Sequence, residues 1–103
     1  AVEIVTPGIT SPGVPEAFAG LVDGARPFNR HIQWLELTKR GFVVLDVTPE
    51  RLQGSWYHLP DVVEAAPTAP AFAAALSVKA GEKRLVPDAA AAPSRDDAPV
   101  AAP

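Results

Sequence analysis

The chain has no cysteine and no methionine in its 103 residues. Without thiols there is no disulfide framework, no thiolate zinc site and no cysteine nucleophile, while the redox compartment stays open. Histidine is nearly as scarce. His31 and His58 are the only two, with no ligand spacing around either, too few to build a histidine metal centre. Charge-free stretches are broken by proline or made mostly of alanine, well short of the ~20 apolar residues that a membrane-spanning helix needs. Positive charge is not in excess either. Nine Lys and Arg against twelve Asp and Glu leave a net charge of -3, spread evenly along the chain, so no half of it forms a patch for neutralising nucleic-acid phosphates. There is no G-x-S-x-G or S-x-x-K for an activated serine. The glycines at 8, 13, 20 and 24 do not make a phosphate-cradling loop.

Proline and glycine are abundant, at 12 and 7 residues, which disfavours long helices. The length fits one small domain with a single core. Six of the seven aromatic residues precede residue 60, with Phe72 alone after it, and this places the expected core in the first 60 residues. The chain opens without Met directly on a strand-like run, which reads as a cut through a longer protein. Residues 87–103 hold seven Ala and four Pro with Val100 as the one large aliphatic, too little apolar surface to offset the ordering cost of ~1–2 kcal/mol per residue. They read as a flexible tail whose removal costs little.

Between these ends the pattern is mainly β. Val2 to Thr6 is a β-branched strand candidate, followed by turns at Pro7-Gly8 and Pro12-Gly13. Pro15-Glu16 opens a helix of about two turns, with Phe18, Leu21 and Val22 on one face and Asp23-Gly24 as its stop. His31 to Leu37 alternates as a strand, and Thr38 to Gly41 reads as a hairpin turn with Gly41 free to take positive φ. Phe42 to Val47 is a nearly unbroken apolar run, the composition of a central strand buried on both faces. After a turn at Thr48 to Arg51, the stretch Leu52 to Leu59 completes an antiparallel meander. A weaker hairpin follows, Phe72 to Val78 and Arg84 to Val86, although its alanines also allow helix at 71–76. The expected organisation is therefore 1–63 as sheet, 64–86 as linker and terminal hairpin, and 87–103 as tail.

Few side chains suggest chemistry. His31 stands at a loop-to-strand junction after Asn29 and Arg30, where functional groups project. Thr10 and Ser11 sit in a loop, where hydroxyls commonly satisfy nearby amides. Asp46 has the ordinary task of accepting amides of the following turn. Trp34, Trp56 and Tyr57 could stack on a sugar or a base, yet aromatics at strand positions first serve packing.

The ordered segments Val2-Glu3-Ile4-Val5-Thr6-Pro7-Gly8-Ile9-Thr10-Ser11-Pro12-Gly13, Asn29-Arg30-His31-Ile32, Arg40-Gly41-Phe42-Val43-Val44-Leu45-Asp46-Val47-Thr48-Pro49-Glu50-Arg51 and Trp56-Tyr57 resemble the C-terminal end of the PhoD-like alkaline phosphatases. The resemblance covers Val2 to about Val62 and reaches thinly to Val86 through Gly81-Glu82-Lys83-Arg84-Leu85. It implies part of a four-layer αββα metallophosphatase sandwich, periplasmic or extracellular, that hydrolyses phosphate esters. Iron and calcium ions in such a centre polarise phosphoryl oxygens and activate a bound water or hydroxide. The family's metal ligands, including a Gly-Asp-x-His segment, lie upstream of Ala1, and no residue here matches them. By the resemblance this segment is sheet scaffold, inactive alone, whose partner is the remainder of the phosphatase chain. Thr10, Ser11, Asn29 and His31 are its substrate-proximal candidates. The family's Asn-Pro-His is Asn29-Arg30-His31 here, so the proline's stiffening is lost. The alternative is a free-standing, non-enzymatic β-domain that binds a partner by sheet-edge pairing.

Overall fold

The computed structural model describes residues 1–9, 11, 13–60, 69–94, 96–97 and 100. Four antiparallel strands form one sheet in the order β1-β2-β3-β4: β1 Arg40–Val47, β2 Arg51–Leu59, β3 Ala71–Lys79 and β4 Val86–Asp88. A short helix, α1 Gly20–Ala25, lies between two 3-10 turns, Glu16–Phe18 and Arg26–Phe28. The mainly β architecture with one short helix is thus as the sequence implies.

Each strand has a local cause. At the β1–β2 turn, Thr48 N–H donates to the Arg51 carbonyl at 2.8 Å, and Arg51 N–H donates to Thr48 Oγ1 at 3.1 Å. The threonine hydroxyl, rather than Asp46, does the amide-accepting work expected at this turn. The β3–β4 connection turns at Gly81, whose φ of 83° is the left-handed geometry that glycine adopts without steric cost. Gly41, expected to need that freedom, has no positive φ. It lies inside β1, where a Cβ would collide with the Tyr57 carbonyl across the ladder.

The alternation of β2 sorts the two faces. One face carries Val43, Trp56 and Ala74 in one row and Leu45, Gly54 and Leu76 in the next. The other carries the aligned rings Phe42, Tyr57 and Phe72, then Val44, Ser55 and Ala75, then Asp46, Gln53 and Ser77. Phe42 and Tyr57 stack at 5.3 Å, and Tyr57 meets Phe72 edge-on at 6.0 Å, a cross-strand aromatic ladder. A bulge between Trp56 and Tyr57 shifts the β2–β3 register.

Irregular segments cover both faces of β2. On the apolar face the N-terminal residues lie extended: the Val5 carbonyl accepts from Trp56 Nε1 at 3.1 Å, and Ile4 reaches to Gly54. On the opposite face Gln53 Nε2 donates to the Ala90 carbonyl at 3.0 Å, and Ala92 N–H donates to Ser55 Oγ at 3.4 Å. The Arg51 guanidinium bonds Gln53 and lies 3.4 Å from Asp88 Oδ1. Among the described residues the buried ones are Trp56, Ala75 and Leu76, the polar Gln53, Ser55 and Ser77, and the glycines Gly41 and Gly54.

Several expectations are corrected. Neither Val2 to Thr6 nor His31 to Leu37 is a strand. The second segment instead lays Trp34 over Trp56 at 5.2 Å, while Glu36 Oε1 accepts from Thr38 N–H and Thr38 Oγ1 at 2.7 Å each. Such local side-chain bonding competes with a backbone ladder. With no strand before it, Thr38 to Gly41 is not a hairpin turn. The apolar run of β1 is an edge strand, with Val44, Leu45 and Val47 48%, 51% and 57% exposed. The centre belongs to β2 and β3, so the core is not confined to the first 60 residues. Ala71–Lys79 is strand throughout, and β4 begins two residues later than Arg84. Helix α1 runs through Gly24 to Ala25, because an internal glycine weakens a helix by ~1 kcal/mol without ending it. Phe18 lies in the preceding 3-10 turn. The expected tail begins as β4 and then covers the sheet as far as Ala92.

Candidate functional site

Where the N-terminal segment and residues 30–40 meet the apolar face of the sheet, they enclose an open groove of about 1110 Å³. Its floor is indole. Trp56 is buried beneath Trp34, which in turn stacks on His58 at 6.0 Å. Its wall is basic: five of the nine Lys and Arg (Arg30, Lys39, Arg40, Lys83 and Arg84) line it, against Glu3 and Glu36 of the twelve carboxylates. A molecule of net charge -3 thus gathers positive charge in one cleft, and low-dielectric walls focus such a field on an anion.

Glu36 is held in place by hydrogen bonds from residues 38 and 39. Burial raises its pKa, but the hydrogen bonds from the Thr38 hydroxyl, Thr38 N–H and Lys39 N–H and the positive charge of His58 outweigh that. The carboxyl sits below its ordinary value of 4.5. Arg40 Nε donates to the Ser11 carbonyl at 2.9 Å, and Gly41 N–H to the Gly8 carbonyl at 3.3 Å, so β1 anchors the Gly8–Ser11 loop along the groove.

Of the substrate-proximal residues expected from the sequence, Ser11 and His31 both line this groove. Asn29 does not: its Nδ2 donates to the Ala25 carbonyl at 2.9 Å, where it caps the helical turns. Thr10 lies outside the described residues. The sequence reading missed the basic wall, because Arg30, Lys39–Arg40 and Lys83–Arg84 are scattered along the chain and only the fold collects them. Among the described residues no group of three or more His, Cys, Asp or Glu side chains is placed to hold a metal ion. Ser11, His31 and the five cationic side chains line one cleft, an arrangement suited to attracting an anion. No helix among the described residues is long and apolar enough to cross a membrane. No family model, curated protein or solved structure matches the chain significantly.

Proposed function

We propose that the chain is the C-terminal section of a secreted PhoD-like metallophosphatase, supplying sheet scaffold and one wall of an anion-binding groove while the metal ligands come from preceding residues. The observation that carries this reading is the ordered set of matching segments from Val2 to Tyr57. The groove supports it, because two of the matched positions, Ser11 and His31, share a cleft with five cationic side chains suited to a phosphate ester. The chemistry of ester cleavage would belong to metal ions held elsewhere. The contribution of this chain is positional: Arg40 fixes the Gly8–Ser11 loop, and the basic wall attracts and orients the phosphoryl group.

The test is the coding sequence that precedes Ala1. An in-frame Gly-Asp-x-His segment shortly upstream, in a protein that hydrolyses bis(p-nitrophenyl) phosphate while the 103-residue chain alone does not, is the expected result. A start codon or a signal sequence directly before Ala1 overturns the reading.

A further inference from the structure

The two edges of the sheet are unlike. β4 is three residues long with Pro87 at its centre, a blunt edge that cannot accept a continuous ladder. β1 is eight residues long, pairs with β2 without a bulge, and carries no proline and no lysine. Its hydrogen-bond parity is fixed at both ends. Thr48 and Arg51 bond each other across the turn, so Asp46, Val44 and Phe42 point their backbone groups inward to β2. Gly41, Val43, Leu45 and Val47 then point theirs outward, and the bond from Gly41 N–H to the Gly8 carbonyl agrees. The Gly8 loop occupies the first of these four positions. Among the described residues no strand pairs with the other three.

We propose that the outer edge of β1 pairs antiparallel with β1 of a second copy of this chain, about a two-fold axis at Leu45. This inference does not rest on the phosphatase reading. In that register Leu45 faces Leu45 of the second copy, and Val43 faces Val47 at both ends, so all the outward N–H and C=O groups of the three residues are satisfied. The side chains of these residues lie on the apolar face, where Leu45 and Val47 are 51% and 57% exposed, and the pairing covers them with one another. Charge selects the direction. Arg40 opens the strand, just after Lys39, which lies 3.6 Å from Glu16, and Asp46 stands near its end, with Glu50 in the turn beyond. Antiparallel pairing brings unlike ends together, whereas parallel pairing opposes like with like. In the Leu45-centred register Asp46 lies opposite Val44, so no two carboxylates face each other across the axis.

The absence of cysteine makes the register directly testable in the full 103-residue chain. Directly opposed residues of a hydrogen-bonded antiparallel pair have Cα atoms ~5.5 Å apart, within disulfide reach. Sedimentation of the unaltered chain is expected to show a monomer–dimer equilibrium, with the dissociation constant raised at least about tenfold by Leu45→Lys, which opposes two ammonium groups at the axis. Under mild oxidation Leu45→Cys is expected to form a covalent dimer. Val44→Cys and Asp46→Cys, each alone, are expected not to, while an equal mixture of these two cross-links. Circular dichroism establishes that each variant retains the sheet. A chain that stays monomeric at millimolar concentration overturns the proposal, as does a dimer in which Val44→Cys cross-links as fast as Leu45→Cys. A dimer indifferent to Leu45→Lys also overturns it, by assigning the contact to another surface.

Discussion

Glu36 shows how one side chain ties a loop to the pH of its surroundings. Thr38 and Lys39 present three hydrogen bonds to its carboxylate, with His58 adding positive charge, and together they overcome the burial that opposes ionisation. Because the folded pKa is depressed, the stabilisation is fully present above the unfolded value and is lost as pH falls through the lowered folded value. Stability should therefore decline below about pH 4.5 more steeply in the unaltered chain than in Glu36→Gln, as denaturant midpoints between pH 6 and 3 will record. Gly41 makes a second residue-scale case, through space rather than charge. A methyl group there meets the Tyr57 carbonyl, which is backbone in the central strand and cannot swing aside. Gly41→Ala should cost about 1–3 kcal/mol by overpacking, read as a lowered denaturant midpoint, whereas Gly20→Ala in open space on α1 should be neutral or stabilising.

At the scale of elements, the segment after β3 belongs to the fold and is no mere appendage. β4 pairs with Ala75, Leu76 and Ser77, and the residues beyond it bond Gln53 and Ser55. Truncation after Leu85 removes two side-chain bonds at about 1 kcal/mol each besides that ladder, and should lower the melting temperature by at least about 8–16 °C in a scanning experiment. The sequence misled here for a physical reason: alanine and proline bury little area of their own, so composition cannot reveal that a segment is held by polar groups on a distant strand. The turns at 48–51 and 79–82 and strand β2 were legible because hairpin chemistry and period-two alternation are local. Whether an alternating segment is a strand depends on a ladder partner, and His31 to Leu37 found an aromatic face instead. The run Phe42 to Val47 has a composition that suits a two-sided burial that the strand order denies it. Of the candidate site, loop position pointed to His31 and the family resemblance to Ser11, while the cationic wall needed three separate segments brought together by the sheet.

For the whole molecule the governing fact is that one sheet is covered by extended chain in place of a second layer. The Cα envelope measures 41 × 40 × 20 Å with a radius of gyration of 15.4 Å, against roughly 13 Å for a compact domain of 100 residues. Among the described residues three apolar side chains, Trp56, Ala75 and Leu76, are buried, and large side chains such as Phe28, at 89% exposure, remain in water. A flat molecule with so small a core exposes little new apolar surface on unfolding. Its heat-capacity change should therefore fall below the ~12–15 cal/mol/K per residue typical of globular domains, and calorimetry measures it directly. The N-terminal segment is decisive for that core, since the Val5 carbonyl holds the Trp56 indole and Ile4 covers Gly54 beside it. Deleting residues 1–8 removes both and also frees Gly41 N–H from Gly8. The expected outcome is a red-shifted tryptophan emission already in the absence of denaturant, with a melting transition that broadens as the remaining sheet loses its cover on one face. An emission maximum that stays blue after the deletion would show instead that Trp34 alone shields Trp56, and that the sheet and residues 30–40 form the stable unit without the segment that precedes them.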